Sequence, residues 1–180
     1  AVLLHPWKSQ LLRKRNVAIF SVLLHCGIRK GELLGLQATD IDIKRRQMIV
    51  RKETSKSKDS RVIPINSKLY CSLEDYLEER QKLKIIVPAL FVNYKGDGPL
   101  TKHGLKHLVT KVEELSGVEH HLHRFRHTFG VNMINGGCDV AKLKQLMGHK
   151  DIRMTMAYLR QLPTSMMRAD VEKITLDNLI

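Results

Sequence analysis

The sequence contains few cysteines and no long apolar run. Its three cysteines, Cys26, Cys71 and Cys138, are odd in number and widely spaced, so they provide neither a disulfide framework nor a CxxC metal site. The most apolar stretches, residues 17–24 and 85–92, are far shorter than the ~18–20 residues that a helix needs to span a bilayer, and no signal-peptide pattern opens the chain. We therefore expect a soluble protein in a reduced, cytoplasmic setting, with no membrane partner.

Acidic residues are scarce. The chain of 180 residues has 18 Asp and Glu against 31 Lys and Arg, which gives a formal net charge of +13. Such a surplus of positive charge attracts polyanions and speeds their capture, and this favours nucleic acid as the partner. Charge alone leaves two alternatives open, a generally basic soluble protein and a protein that binds anionic membranes, because charge reports on partners and not on the fold.

Periodic apolar positions predict one mainly helical domain. The chain length suits a single domain, since domains typically have ~100–200 residues, and the sequence contains no internal repeat or low-complexity segment. Helical spacing and capping residues predict helices over residues 8–26, 31–36, 67–83, 101–116, 123–135, 139–147, 151–159 and 165–176. Residues 47–52 and 61–65 are expected to form a β-hairpin, with a polar loop at 53–60.

Several side chains near the predicted helix ends and in the hairpin suit one kind of reaction. Cleavage of a phosphodiester by a side chain needs an oxygen that attacks phosphorus, cations that hold the non-bridging oxygens as charge builds, and an acid for the leaving oxygen. Tyrosine, arginines, a lysine and histidines meet these needs without a metal ion. Arginine is the better clamp because its planar fork binds phosphate through two hydrogen bonds and keeps its charge.

Four stretches carry these residue types in short motifs. They are Cys-Gly-Ile-Arg-Lys-Gly-Glu-Leu at residues 26–33, Lys-Ser-Lys-Asp-Ser-Arg-Val-Ile-Pro-Ile at 56–65, His-Arg-Phe-Arg-His-Thr-Phe at 123–129, and Leu-Met-Gly-His-Lys-Asp-Ile at 146–152, the last followed by Thr155 and Tyr158. Each motif alone is weak, because Gly-x-Arg and Gly-His pairs occur by chance in many basic helical proteins. Together, in this order, they resemble the tyrosine recombinase family, also called the phage integrase family, over nearly the whole chain.

The resemblance assigns roles to six residues. The first motif corresponds to the box around the family's first catalytic arginine, and the second to its β-hairpin, whose catalytic lysine stands eight residues before a proline. The third holds the second arginine and its preceding histidine, and the fourth leads to the nucleophilic tyrosine, nine residues after a histidine. The implied catalytic residues are Arg29, Lys56, His123, Arg126, His149 and Tyr158. Lys58 is a rival for the role of the lysine.

The motifs differ from the family pattern at three positions. Cys26 stands where many members have threonine, Met147 where leucine is common, and Arg160 where a histidine often follows the tyrosine. None of these differences removes a catalytic side chain.

The resemblance also implies a mechanism. Tyr158 attacks the scissile phosphate and forms a 3′-phosphotyrosyl link with a free 5′-hydroxyl, while the two arginines hold the phosphoryl oxygens. Lys56 protonates the leaving 5′-oxygen, His123 helps to deprotonate the tyrosine or holds the phosphate, and His149 hydrogen-bonds a non-bridging oxygen. No cofactor, metal ion or ATP is expected, because the covalent link keeps the energy of the phosphodiester.

The implied fold is α+β, mainly α with a small antiparallel β-sheet, and the implied function is site-specific DNA recombination or integration, as in phages and mobile elements. We expect residues 1–180 to form the catalytic domain, with the family's N-terminal DNA-clamping domain absent from this chain. The expected partners are double-stranded DNA and, for the full-length protein, further copies in a homo-tetramer on two duplexes. Residues 165–176 are the candidate for a C-terminal segment that is passed to a neighbour.

Two other functions stay open. A type IB topoisomerase shares this chemistry but relaxes supercoils instead of exchanging chosen strands. A DNA-binding regulator would keep the fold without catalysis, although a pure binder has no need for a tyrosine at this position.

The same residues also have structural explanations. Arg29 is suited to cap the carbonyls of the helix that ends near Gly27, and Glu32, three residues later, to pair with Arg29 or orient it. Lys56 fits a solvated hairpin charge, and Tyr158 alone fits a packing tyrosine. Position within the four motifs favours the catalytic interpretation.

A histidine cluster suggests a further alternative. It consists of His120, His121, His123 and His127, and the last two have the i, i+4 spacing of a zinc-binding helix pair. The glutamate of an HExxH motif is absent, and the neighbouring arginines repel a cation. No metal site is expected here.

Overall fold

The structure, a computed structural model, describes residues 7–119 and 121–161. Its helices are α1 (Gln10–Cys26), α2 (Lys30–Gly35), α3 (Ser67–Lys82), α4 (Lys102–Ser116), α5 (Leu122–Asn135), α6 (Val140–Met147) and α7 (Arg153–Met156), with 3-10 turns at Ala38–Asp40 and Leu159–Gln161. The helix predicted over 165–176 lies outside the described residues. Within the described ranges, no helix is long and apolar enough to cross a membrane.

Three short strands form the sheet. They are β1 (Ile41–Asp42), β2 (Gln47–Val50) and β3 (Arg61–Pro64), antiparallel in the order β1-β2-β3. The predicted hairpin is β2 and β3, and β1 was not predicted because two residues are too few for an alternating pattern. The last paired residues of the hairpin are Val50 and Arg61, so its loop spans residues 51–60. The predicted architecture, mainly α with a small antiparallel sheet, is confirmed.

The chain differs from the prediction around residues 151–159. The expected single helix is limited to the four residues of α7, and Tyr158 lies in the turn that follows it. Its backbone amide bonds to the carbonyl of Thr155, three residues back, at 3.1 Å, which is the tighter 3-10 pattern. Thr155 is itself fully buried. Tertiary contacts here outweigh helical propensity.

Two apolar clusters hold the helices together. In the larger one, α1 packs against α3 and α5, with fully buried Ile19 and Val22 and a ring contact of 5.6 Å between the centroids of Phe20 and Phe125. The smaller cluster joins α5, α6 and the turn after α7, and its buried members are Phe129, Ile134, Leu143, Met147 and Tyr158. Tyr158 is thus fixed by packing.

A glycine allows α1 and α5 to approach each other. Gly27 ends α1 with a φ of 57°, in the left-handed region that favours glycine. A Cβ at this position would lie 2.3 Å from Cδ1 of Phe129, which is far inside van der Waals contact. The close approach brings the end of α1 to α5.

We expect Gly27→Ala to lower the free energy of unfolding by about 2–4 kcal/mol, because it adds both backbone strain and a collision with Phe129. Gly117→Ala is the matched control: Gly117 also ends a helix, at a φ of 67°, and a Cβ there meets nothing within 4 Å. The control should lose about 1–2 kcal/mol from strain alone. Urea unfolding measures the free energy of unfolding of both variants. Equal losses in Gly27→Ala and Gly117→Ala would contradict the predicted collision with Phe129.

Candidate active site

The candidate active site forms around the end of α6. There Gly148 adopts a φ of 62°, and the amide of His149 bonds back to the carbonyl of Lys144 at 3.1 Å. The last carbonyls of a helix lack partners within it and carry the negative end of its dipole. At residues 146–148 they accept hydrogen bonds from three arginines. These bonds are Arg61 Nε to Leu146 (2.8 Å), Arg126 Nη2 to Met147 (2.6 Å) and Arg29 Nη2 to Gly148 (3.1 Å).

Arg29 belongs to this cluster and does not cap α1. It precedes α2 as the N-cap residue, and its Nη1 lies 3.2 Å from Oε1 of Glu32. The carbonyl of Gly27 accepts instead from Nη1 of Arg126, at 2.5 Å. The structural alternative for Arg29, a cap on the helix that ends near Gly27, is therefore wrong. With 23% of its side chain exposed, Arg29 is accessible to a ligand.

Arg126 links two helix ends from within the protein. It lies on α5, is 4% exposed, and donates to the end of α1 and the end of α6. Burial, with repulsion from Arg29, lowers the pKa of Arg126 to about 10. The guanidinium is therefore still protonated at neutral pH, and an anion beside it would be stabilised strongly because little water screens the charge.

His149 follows the end of α6 and is held in a fixed orientation. The side chain is 7% exposed, and its Nδ1 lies 2.8 Å from Oγ1 of the buried Thr155. Burial, followed by repulsion from Arg126, Arg29 and Arg61, lowers the pKa of His149 to about 4. The imidazole is thus neutral at pH 7, with one N–H donor and one acceptor nitrogen.

The ring of Tyr158 lies near two histidine rings. The centroid of its ring is 5.4 Å from that of His127, and 6.4 Å from that of His149, to which it is nearly parallel at 9°. The ring covers Gly130, where a Cβ would lie 2.7 Å from Cζ of the tyrosine. Burial raises the pKa of Tyr158, although Arg126 and Arg29 act in the opposite direction. As a nucleophile at neutral pH, this phenol would need a base.

The structure therefore brings together four of the six residues that the sequence singled out. These are Arg29, Arg126, His149 and Tyr158. Lys56 is exposed in the hairpin loop, and His123 is exposed in the first turn of α5. His123 nevertheless stands three residues before Arg126 on one helix, which makes the two positions neighbours on the helical surface.

Sequence reasoning missed Arg61. It begins β3, directly after the loop that holds Lys56, and its guanidinium bonds to both oxygens of Glu32 at 2.7 and 3.0 Å. In a chain with 31 Lys and Arg, no local pattern marks this residue, because its partners are 29 and 85 residues away. The expected pairing of Glu32 with Arg29 is present as well.

An open cavity of about 650 Å³ lies between the hairpin loop and α6. Lys142, Lys144 and Arg61 contribute positive charge to its lining, Asp59 contributes one carboxylate, and His149 borders it. The cavity thus connects the loop of Lys56 with the arginine cluster, and its balance of charge suits an anionic ligand.

The residues that the structure describes contain no group of three or more histidine, cysteine or acidic side chains placed to hold a metal ion. Of the histidine cluster, His120 lies outside the described residues. His121 of this cluster contacts Glu119 at 3.1 Å, and both side chains are well exposed.

Comparison with known proteins gives consistent matches. The sequence profile of the phage integrase family matches residues 2–164. The tyrosine recombinase XerC of Bacillus pumilus is 34% identical over 158 residues, which are 83% of this chain and 50% of that protein. The crystal structure of XerA recombinase has a TM-score of 0.74 at 25% identity, covering 89% of this chain and 56% of that one. The Tn1549 transposon integrase in complex with transposon right end DNA has a TM-score of 0.69 at 25% identity, covering 93% and 61%.

The chain spans about half the length of the curated relatives it matches.

We expect the imidazole of His149 to titrate at about pH 4 in the folded protein, against 6.5 without the fold. The folded state binds this proton less tightly than the unfolded state does. The contribution of neutral His149 to the free energy of unfolding is therefore fully present above pH 6.5 and is lost as the pH falls towards 4. NMR titration of the ring protons measures the pKa, with His149→Gln identifying the resonance. Titration near 6.5 would contradict the environment described above.

Proposed function

The chain belongs to the phage integrase family, and from this we propose that it is the catalytic domain of a site-specific recombinase that cuts and rejoins DNA strands through Tyr158. The observation that carries the proposal is the convergence of Arg29 and Arg126 on one helix end, beside a neutral histidine and the ring of Tyr158. Nucleophile and cationic clamp therefore belong to one packed unit. The net charge of +13 suits a DNA substrate.

In the proposed cleavage step, Oη of Tyr158 attacks the scissile phosphorus. The new bond joins this oxygen to phosphorus, the bond from phosphorus to the 5′-oxygen breaks, and a 3′-phosphotyrosyl link remains. Arg29 and Arg126 hold the non-bridging oxygens as charge builds on them. Each guanidinium has five N–H donors, and the contacts within the protein use only some of them. The proposal assigns the remainder to the phosphate.

Two histidines have distinct roles in this proposal. His149 donates from Nε2 to a non-bridging oxygen, and the hydroxyl of Thr155 then donates to Nδ1, across the 2.8 Å contact that fixes the ring. His123 helps to remove the phenolic proton or holds the phosphate. A base is needed because burial raises the pKa of Tyr158.

Lys56 is the proposed acid for the leaving 5′-oxygen. Its ammonium would give a proton as the bond to phosphorus breaks, after the exposed hairpin loop has moved into the minor groove of bound DNA. The open cavity between this loop and α6 leaves room for such a movement. Rejoining reverses these steps: a 5′-hydroxyl, from the same or a second strand, attacks the phosphotyrosyl link. Neither ATP nor a metal ion is required for the proposed steps.

The proposal also covers how the whole protein assembles on DNA. A complete site-specific recombinase of this kind would act as a homo-tetramer on two double-stranded DNA duplexes, with residues 1–180 as its catalytic domain. One structural neighbour, the Tn1549 integrase, is in complex with transposon DNA, which supports DNA as the substrate class.

The first test of the proposal is the nucleophile. With a pool of nicked duplexes of random sequence at low salt, the wild-type chain should form a covalent adduct that survives denaturing electrophoresis and maps to the peptide containing Tyr158. Tyr158→Phe should bind the same DNA but form no adduct, because it lacks the attacking oxygen. Tyr94→Phe is the control, since Tyr94 is 70% exposed and away from the cluster. An adduct in Tyr158→Phe would refute the assignment.

The second test separates Lys56 from Lys58. Lys56→Ala should slow adduct formation about 100-fold or more, as expected for loss of a general acid, and Lys58→Ala should slow it much less. Replacing the leaving 5′-oxygen with sulfur should restore the rate of Lys56→Ala, because a thiolate leaves without protonation. Restoration in Lys58→Ala instead would move the acid role to that residue.

A further inference from the structure

The carboxylate of Glu32 is fully buried and is the one acidic group in contact with the arginine cluster among the described residues. Its oxygens accept four hydrogen bonds. They come from Arg61 Nη1 (3.0 Å) and Nη2 (2.7 Å), from Arg29 Nη1 (3.2 Å) and from the backbone N–H of Arg29 (2.8 Å). The partners keep the pKa of Glu32 below its usual value in spite of burial, so the carboxylate remains charged.

The two arginines contact this carboxylate in different ways. Arg61 binds both oxygens with both ends of its fork, the stronger arrangement, whereas the side chain of Arg29 reaches only Oε1 with Nη1. Nη2 of Arg29 bonds to the carbonyl of Gly148 instead. Arg61 therefore occupies the position on Glu32 that would otherwise attract the fork of Arg29.

Arg61 also joins the hairpin to the end of α6. It is the first residue of β3, its side chain is only 9% exposed, and its Nε donates to the carbonyl of Leu146. The contact is close: a Cβ at Gly148 would lie 2.8 Å from Nη1 of Arg61. One guanidinium thus fixes the base of the loop that carries Lys56 against the helix end that precedes His149.

We propose that Arg61 is a positioning residue: by engaging Glu32 with its whole fork, it keeps Arg29 free to bind the scissile phosphate. The role rests on the proposed function, since it concerns the arginine clamp of that reaction. Arg61 acts through Glu32 and Arg29 and has no contact with the reacting atoms in this mechanism. Without it, the buried carboxylate would draw the guanidinium of Arg29 into a two-bond pair and away from Gly148.

The test compares covalent adduct formation on nicked duplex DNA at saturating protein. Arg61→Gln should lower the rate at least about tenfold, while the affinity for DNA changes less than about threefold, because one clamp is lost and the basic surface is kept. Arg51→Gln is the matched control. Arg51 follows β2 at the other side of the hairpin and pairs with Asp40 at 3.1 Å, outside the arginine cluster, so its rate should stay within about threefold of wild type.

Removal of the charge on Glu32 distinguishes this role from a purely structural one. If Arg61 works by engaging that carboxylate, Glu32→Gln combined with Arg61→Gln should form adduct at least about fivefold faster than Arg61→Gln alone, because the amide no longer draws in Arg29. If Arg61 had only a structural role, the double variant would form adduct more slowly than either single variant, because the two losses of rate would combine. If Arg61→Gln does not fold, as judged by thermal unfolding, Arg61→Lys with and without Glu32→Gln gives the same comparison, since an ammonium cannot form the fork.

Two results would overturn the role of Arg61 and leave the proposed function intact. In the first, Arg61→Gln forms adduct as fast as the wild-type chain. In the second, Glu32→Gln combined with Arg61→Gln forms adduct no faster than Arg61→Gln alone. Absence of adduct in the wild-type chain is a different outcome. It would refute the proposed function, and the role of Arg61 with it.

Discussion

The candidate site depends on the capping of three carbonyls at the C-terminal end of α6, those of residues 146–148, by three arginines. These arginines come from three separate places, the start of α2, the start of β3 and the second turn of α5. Arg61 donates to the carbonyl of Leu146 and Arg126 to that of Met147, and Arg29 donates to that of Gly148 and, more weakly, to that of Met147. A helix C-terminus is a natural partner for cations because its free carbonyls and its dipole are both negative. Here that attraction assembles elements distant in sequence around one point.

The same concentration of positive charge sets the ionisation of the site. Burial and the nearby cations lower the pKa of His149 and of Arg126, and burial raises that of Tyr158. Three guanidinium groups face one carboxylate, so the side chains of the cluster carry an excess of positive charge. A phosphate diester would offset part of that excess, and the histidine beside it would remain neutral and able to donate a hydrogen bond. The electrostatics of the site therefore fit an anionic substrate.

The six residues implied by the motifs fall into two groups. Arg29, Arg126, His149 and Tyr158 are held by packing and by hydrogen bonds to backbone carbonyls or buried hydroxyls, whereas Lys56 and His123 are exposed. In the proposed mechanism, contacts within the protein hold the phosphate clamp, and the hairpin loop delivers the acid. Arg61 connects the two groups, since it bonds to the end of α6 within the arginine cluster and is the first residue of the strand that follows the loop of Lys56.

The sequence by itself determined the order of the helices within the described residues and the hairpin, and it singled out the six candidate residues. Apolar periodicity and capping residues are local signals: Asp139 is the N-cap of α6 and Gly148 its C-cap, as predicted from their types alone. The family motifs are local too, which is why the candidate arginines and the candidate tyrosine could be named without coordinates. Neither signal extends to β1, which is too short to show alternation, or to the early end of α7, where tertiary packing overrides helical propensity.

Only the tertiary structure decided which groups meet. The contact of Arg61 with Leu146 spans 85 residues, that of Arg126 with Gly27 spans 99, and that of Arg29 with Gly148 spans 119. The sequence suggested a cap on α1 for Arg29, but Arg126 has that position, and Arg61 was not singled out at all. The physical reason is that a buried carbonyl accepts whichever donor the packing brings near it, and that choice depends on how helices pack rather than on any pattern along the chain.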